Sequence, residues 1–189
     1  MSDPLADLVK CSQRGDAKAF ARLVAETQGG VYNLAYNVLR NHEDAQDATQ
    51  EVYLRVWRAL PGFRAESKFT TWLYRLAINA CLNRRRQLRT QLHVVDSEEV
   101  LQRVAAPGSD PMAVTLDSER AARLWAAVDH LPEKYRLVIG LFYQEQRSYQ
   151  EIAEMLALPV GTVKAHLNRA RAALARSLRQ RGESEDASL

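Results

Sequence analysis

Apolar side chains recur along most of this chain at intervals of three and four residues, the spacing of one face of an α-helix. The clearest run is Ala45, Ala48, Val52, Val56 and Leu60, while Asp44, Asp47, Gln50, Glu51, Arg55 and Arg58 fall mostly elsewhere on the wheel. A second stripe, Phe69, Leu73, Leu76, Ala77 and Ala80, predicts a helix that runs into Arg84-Arg85-Arg86. Pro61-Gly62 ends the first of these, and a short loop to Ser67 leads into the second. Upstream, Asp3-Pro4 has the form of an N-cap with proline at the first helical position. The helix it opens should stop near Gly15, where Asp16 can cap the next. That next helix carries Phe20, Leu23 and Val24, and a third is expected from about Gly30 to Leu39.

Periodicity fades after Gln87. Residues 88–110 end in Ala-Pro-Gly-Ser-Asp and hold an acidic run at Asp96, Glu98 and Glu99. They are expected to form an irregular interdomain linker. Asp110-Pro111 should open a new helix with Leu124, Val128 and Leu131 facing inward, and Pro132 a further one ending near Gln144. The expected fold is therefore all-α. Two small helical domains, 1–87 and 111–181, flank the linker 88–110, and an acidic tail, 182–189, follows.

The sharpest local signal is Ser148–Arg171. Ser148-Tyr149-Gln150-Glu151 is a capping box, in which serine and the glutamate three residues later satisfy each other's backbone donors. Ile152, Ala153 and Leu156 give a short apolar face; Ala157–Gly161 breaks it, and Thr162 restarts a helix with Val163, Leu167, Ala170 and Leu174 inward. Two short helices with a tight turn between them predict a helix-turn-helix. The second helix turns outward Lys164, His166, Asn168, Arg169 and Arg171. Such donors neutralise phosphates, and arginine and asparagine also pair with guanine and adenine edges. A structural hairpin with a solvated basic face would have the same composition.

Charge sharpens this picture. The 189 residues carry 26 Lys+Arg against 23 Asp+Glu, a net charge of only +3. The distribution is uneven: residues 1–87 hold 13 basic and 9 acidic side chains, 88–131 hold 4 and 7, 132–181 hold 9 and 4, and 182–189 hold three acids. Two basic blocks thus flank an acidic middle, which suits a polyanion such as nucleic acid. No signal peptide and no apolar run near the roughly 20 residues of a membrane span are visible. The expectation is a cytoplasmic protein, without membrane insertion, whose Cys11 and Cys81 are reduced. The cysteines and His42, His93, His130 and His166 are scattered without metal-ligand spacing, so neither a metal nor another cofactor is expected. Motifs for nucleophilic, phosphate-cradling or zinc hydrolytic chemistry are missing, so no enzyme activity and no catalytic residue are expected.

Leu131-Pro132-Glu133-Lys134-Tyr135-Arg136, Ser148–Ala153, Pro159–Lys164 and Arg169-Ala170-Arg171 together resemble region 4 of extracytoplasmic-function sigma factors, the small group of the sigma-70 family. Gly15–Phe20 resembles the start of region 2, Asp44–Tyr53 its polymerase-binding helix and Phe69–Asn79 its promoter-melting segment. The resemblance spans nearly the whole chain in order. It implies a subunit that binds core RNA polymerase, at the clamp of the largest subunit and the flap of the second-largest, and that reads promoter DNA. It places Asp47, Gln50, Glu51 and Arg55 on the polymerase-binding helix.

For the −10 element the resemblance, together with the need for an aromatic shelf, amide readers and cations, points to Phe63, Asn79, Asn83, Arg84, Arg85 and Arg86. Trp72 reads first as core. For the −35 element it points to Thr162, Lys164, His166, Asn168, Arg169 and Arg171. The family often carries an extra arginine where this chain has His166 and a bulky residue where it has Asn168, a departure that bears on the −35 sequence and not on the role. It further implies control by an anti-sigma factor, and a linker that threads the polymerase cleft, although an ordinary flexible tether would have the same sequence. A stand-alone helix-turn-helix regulator is the alternative; it would explain residues 111–180 but not the Gln50-Glu51 helix or the Asn79 region.

Overall fold

A computed structural model describes residues 5–94 and 124–186, with side chains described for 5–90 and 124–179. The expected N-cap at Asp3-Pro4, most of the linker and the opening at Asp110-Pro111 lie outside these residues. Among the described residues the elements are helical: α1 (Ala6–Gln13), α2 (Ala17–Leu39), α3 (His42–Ala59), α4 (Phe69–Val94), α5 (124–129), α6 (Glu133–Ile139), α7 (Tyr149–Leu156) and α8 (Val160–Asp186). Two outlast their sequence signal: α4 continues past Gln87 to Val94, and α8 runs to Asp186, into the acidic tail.

The N-terminal bundle follows the apolar stripes. Gly15 turns the chain out of α1 with φ +90°, a conformation a side chain would strain. The Asp16 carboxylate then accepts from the amides of Lys18 and Ala19, capping α2. Asn41 caps α3 in the same way through the Asp44 amide. Ala45, Ala48, Val52, Val56 and Leu60 from α3 and its 3-10 extension are all buried, as are Phe69, Leu73, Ala77 and Ala80 of α4. They close on Leu23, Val31, Leu34 and Val38 of α2.

One expected boundary is absent. No break separates Val24 from Gly30, and α2 is continuous to Leu39. Two consecutive glycines cost a helix about 0.5–1 kcal/mol each, but the buried residues on either side override that local preference. Gly30 has a packing reason. A Cβ there would lie 2.0 Å from the Tyr74 hydroxyl and 2.3 Å from Glu145 Oε2.

In the C-terminal half, α6 ends in a wide π turn, Gly140–Gln144. Leu131, Leu137, Val138, Ile139 and Leu141 are buried there. Leu124 was expected to face inward but is 40% exposed, and the buried face of α5 passes instead through Ala127 and Val128. Ser148 and Glu151 form both halves of the capping box on α7. Ala157 closes that helix in the left-handed conformation (φ +51°), and α8 starts at Val160, before Thr162, because the Pro159 carbonyl already accepts from Thr162 and Val163. Ile152, Ala153 and Met155 of α7 pack on Val163, Leu167, Ala170 and Leu174 of α8. The buried core is continuous between the two halves, with α7 lying on α4 and α6 on α2.

Candidate nucleic-acid and polymerase interfaces

On α3 the residues left outside the core fall on one face. Asp47, Gln50, Glu51 and Arg55 are exposed, and Glu51 and Arg55 pair one turn apart. Leu54, 59% exposed, and Trp57, 37% exposed, lie between and beyond them, with Phe20 against the Trp57 indole at 4.7 Å. Exposed apolar side chains flanked by charged ones are the composition of a protein-binding face. Leu54 and Trp57 were not singled out from the sequence, although both are out of phase with the buried stripe at Val52 and Val56.

A second surface is a cavity of about 570 Å³ between the 3-10 turn after α3 and the start of α4. Its lining includes Phe63, Trp72, Arg64, Arg75 and Thr71. Phe63 and Trp72 form its aromatic wall, with ring centroids 5.0 Å apart, and Phe69 supports both from the core side. The Gln13 amide donates to the Leu60 and Phe63 carbonyls, at 3.1 and 2.8 Å, and so fixes the loop that presents Phe63. Trp72 is half-buried rather than core, because Phe69 and Leu73 fill the interior at this level. Asn79 is exposed, two turns along α4 from Trp72 and one from Arg75.

The basic run beyond it does not act as a unit. Consecutive helical residues point about 100° apart. Arg84 pairs with Asp44 at 3.0 Å, Arg85 faces Glu133 of α6, and Arg86 donates to Asn83 at 3.0 Å. Burial, then the neighbouring Arg89, pulls the Arg85 pKa down. The structure therefore brings Phe63, Trp72, Arg75 and Asn79 to one side of α4, and ties Arg84 and Arg85 to carboxylates of the protein.

On α8, Val163, Leu167 and Ala170 face the core and the remaining positions divide into two flanks. Lys164, Asn168 and Arg171 share one. Lys164 lies 5.7 Å from the Tyr149 ring, and the Arg171 guanidinium donates to the Tyr143 hydroxyl at 2.8 Å and packs on Phe142. On the other flank are Thr162, His166 and Arg169. His166 is half-buried edge-on to Tyr135; its pKa is lowered by burial first and then by Lys134 and Arg169, so the ring is neutral at neutral pH and reads as a donor or acceptor rather than as a cation. Lys164, Asn168 and Arg169 are exposed and free to reach outward. Among the described residues no cluster of His, Cys, Asp or Glu is arranged to hold a metal, and no helix is long and apolar enough to cross a membrane.

Two family models match the chain in order, Sigma-70 region 2 over residues 23–91 and Sigma-70, region 4 over residues 121–174. Among curated proteins, the chain is 34% identical to the ECF RNA polymerase sigma factor SigW of Bacillus subtilis, over 90% of this chain and 95% of that protein. It is 35% identical to the ECF RNA polymerase sigma-E factor of Escherichia coli K12, over 92% of this chain and 95% of that protein. Among solved structures, the sigma factor RpoE in complex with the anti-sigma factor NepR from Bartonella quintana superposes with a TM-score of 0.68. It is 21% identical, covers 86% of this chain and 98% of that one, and supports the likeness of fold.

Proposed function

The chain belongs to the extracytoplasmic-function sigma factors of the sigma-70 family, and from that premise we propose that it binds core RNA polymerase and directs it to start transcription at promoters with its own −10 and −35 elements. Region 2 takes residues 1–87, with α4 reaching beyond to Val94; 88–110 is the linker, 111–181 is region 4 and 182–189 the tail. The chain supplies recognition and carries no catalytic chemistry. It works in the cytoplasm, where polymerase and promoter are.

The observation that carries the residue assignment is the separation of three surfaces of different chemistry. The α3 face, with Asp47, Gln50, Glu51 and Arg55 around Leu54 and Trp57, has the apolar centre and charged rim of a protein contact and takes the polymerase clamp. The cavity of Phe63, Trp72 and Arg75, continued by Asn79, has what an unstacked −10 base needs: an aromatic shelf, a cation for the strand and an amide that both donates and accepts. The outer face of α8 has Lys164, Asn168 and Arg169 placed for the major groove of the −35 element. Arg84 and Arg85 act as struts holding α4, and Arg86 and Asn83 lie at the far end of the strand path. Region 4 takes the flap of the second-largest subunit. An anti-sigma factor is the partner that holds the protein inactive in this reading; the Bartonella sigma factor is seen in complex with one.

The test is reconstitution. Core polymerase with the chain should start transcripts at discrete genomic sites that core alone ignores, and the chain should be retained by immobilised core enzyme. Tight sequence-specific footprinting by the chain alone, with no retention by core, would overturn the proposal.

A further inference from the structure

Helix α1 lies ahead of residues 23–91, the stretch that matches region 2, and none of the three surfaces draws a residue from it. It is nonetheless fitted to the rest of the bundle. Val9 and Ser12 are buried, and Leu5 and Leu8 pack on the core. The Ser12 hydroxyl is spent inside the helix, donating to the Leu8 carbonyl at 2.7 Å. Gln13, the last residue of α1, reaches out instead. Its carboxamide nitrogen donates to the Leu60 carbonyl at 3.1 Å and to the Phe63 carbonyl at 2.8 Å. A carbonyl can only accept, so the nitrogen and not the oxygen of the amide must face this pair. A primary amide has two N–H donors, and here both go to the carbonyls that bracket Pro61-Gly62.

Local forces do not set the segment held in this way. Gly62, Phe63, Arg64, Glu66 and Ser67 line the cavity from one side. A Cβ at Gly62 would meet nothing within 4 Å, so the 3-10 turn is not packed at that point. Phe63 leaves it in extended backbone, φ −71° and ψ 117°, and Ala65 sits in the left-handed region at φ +57°. That conformation is costly for an alanine and persists only where the surroundings impose it. Two constraints reach Phe63 from outside the segment. Its ring meets Trp72 and Phe69, at centroid distances of 5.0 and 6.1 Å, and its carbonyl meets Gln13. The ring contacts set where the wall stands against α4, and the carbonyl contact sets the backbone that carries the ring. The wall of the cavity therefore stands on α1 as well as on α4.

We propose that Gln13 is a positioning residue for promoter opening. It meets no DNA itself; it holds the loop so that the aromatic wall is formed before a base leaves the stack. A loop without this hold would have to be ordered during the opening step, and the entropy of that ordering would be added to the barrier. Retention by core polymerase, assigned to the α3 face, does not depend on it. The proposal rests on the reading of the Phe63–Trp72 cavity as the −10 strand site, and it extends that site to a helix outside the matched region.

The test uses the full chain with core polymerase, on a promoter that the wild-type enzyme selects. Opening is timed by stopped flow with 2-aminopurine placed in the −10 element, and retention by core and thermal melting are measured on the same preparations. Gln13→Glu keeps the shape of the side chain but offers the two carbonyls only acceptors. Gln13→Met keeps the length without polar atoms. Each should open duplex promoters about tenfold more slowly, the size expected for losing this pair of hydrogen bonds, with retention unchanged. Phe63→Ala should be slow as well. Adding Gln13→Met to it should slow opening by less than about twofold more, because Gln13 acts through the loop that presents Phe63. A role in stability alone would add its full loss in either background. Full additivity in the double variant, or loss of retention by core in the Gln13 variants, therefore overturns the proposal. Gln13 variants that open at the wild-type rate while Phe63→Ala is slow overturn the positioning role and leave the cavity its reading. A Phe63→Ala chain that opens at the wild-type rate overturns the reading of the cavity itself. If one Gln13 variant fails to fold, the other carries the measurement; if neither folds, Gln13 holds the bundle rather than the loop and the proposal is overturned.

Discussion

The rings of Phe63 and Trp72 stand 5.0 Å apart and tilted by 43°, one from the loop after α3 and one from the first turn of α4, so that neither element alone makes the wall they share. Gln13 of α1 fixes the loop side of this pair through two carbonyls. Three separate segments of the N-terminal bundle therefore meet at this aromatic wall.

Trp72→Ala and Asn79→Ala should each slow promoter opening while leaving retention by core polymerase unchanged. Base extrusion costs a few kcal/mol, and the shelf and the amide offset it. A template with a pre-melted −10 bubble should recover part of the lost activity. Stopped-flow opening rates on duplex and bubble templates, with thermal melting on the same preparations, give the answer. A stable Asn79→Ala chain that opens duplex promoters at the wild-type rate removes Asn79 from the site.

Adjacent glycines of α2 should respond in opposite directions. At Gly29 an added Cβ meets nothing within 4 Å, so Gly29→Ala should stabilise by about 0.4–1 kcal/mol through the unfolded chain. At Gly30 the Cβ would fall on the Tyr74 hydroxyl and the Glu145 carboxylate, and overpacking of this kind costs about 1–3 kcal/mol. Urea denaturation of the two variants measures the difference. Equal shifts would show that Tyr74 is not fixed where the structure places it.

Base readers and phosphate holders on α8 should separate on DNA of matched and scrambled −35 sequence. Lys164→Ala and Arg169→Ala should cost about 1–3 kcal/mol on the matched site and relax one base pair each. Arg171→Ala should weaken both sequences alike, and Tyr143→Phe should do part of the same, because the Tyr143 hydroxyl holds the Arg171 guanidinium. Binding is read with the polymerase holoenzyme. Uniform losses for Lys164→Ala and Arg169→Ala would refute their assignment.

The two thiols should differ in reactivity by their surroundings. Cys11 is exposed and should react at once with a disulfide reagent, whereas Cys81 is fully buried, and burial with a smaller push from Glu51 raises its thiol to about 12. Cys81 should react only as the domain unfolds. An unfolded thiol ionises above about 9 and the folded one does not, so the Cys81 contribution to stability is complete below pH 9 and is lost as pH rises from 9 toward 12. Burial of Tyr53 and Tyr74 acts in the same direction. The measurement is therefore the difference between wild type and Cys81→Ala, whose alkaline loss should be shallower. Identical pH profiles would show that Cys81 stays protected for another reason.

What the sequence made legible is what lies within one helix or one turn. The stripes at Ala45–Leu60 and Phe69–Ala80, the Asp16 cap and the Ser148–Glu151 box all depend on spacings of three or four residues, and all appear in the structure. The Arg84–Arg86 run looks like one patch in sequence, but helical geometry turns its members to three directions and sends two of them to Asp44 and Glu133. Leu54 and Trp57 lie out of phase with the buried stripe, so the periodicity that marks the core does not mark them. The partners of Asn37, Tyr74, Glu145 and Gln144 lie 71 to 112 residues away in sequence. No local pattern encodes a contact between two elements whose meeting depends on the whole fold, and that is why the domain interface was not foreseen.

Glu151 divides its work between two oxygens. Oε2 accepts from the Ser148 amide and hydroxyl, which completes the start of α7, while Oε1 takes Lys68 from the other domain. Loss of the Lys68 ammonium would therefore cost only the second of these, and the start of α7 would keep its cap. The geometry of the helix-turn-helix is written within its own few residues, so a change at its seat on α4 need not be a change in its shape.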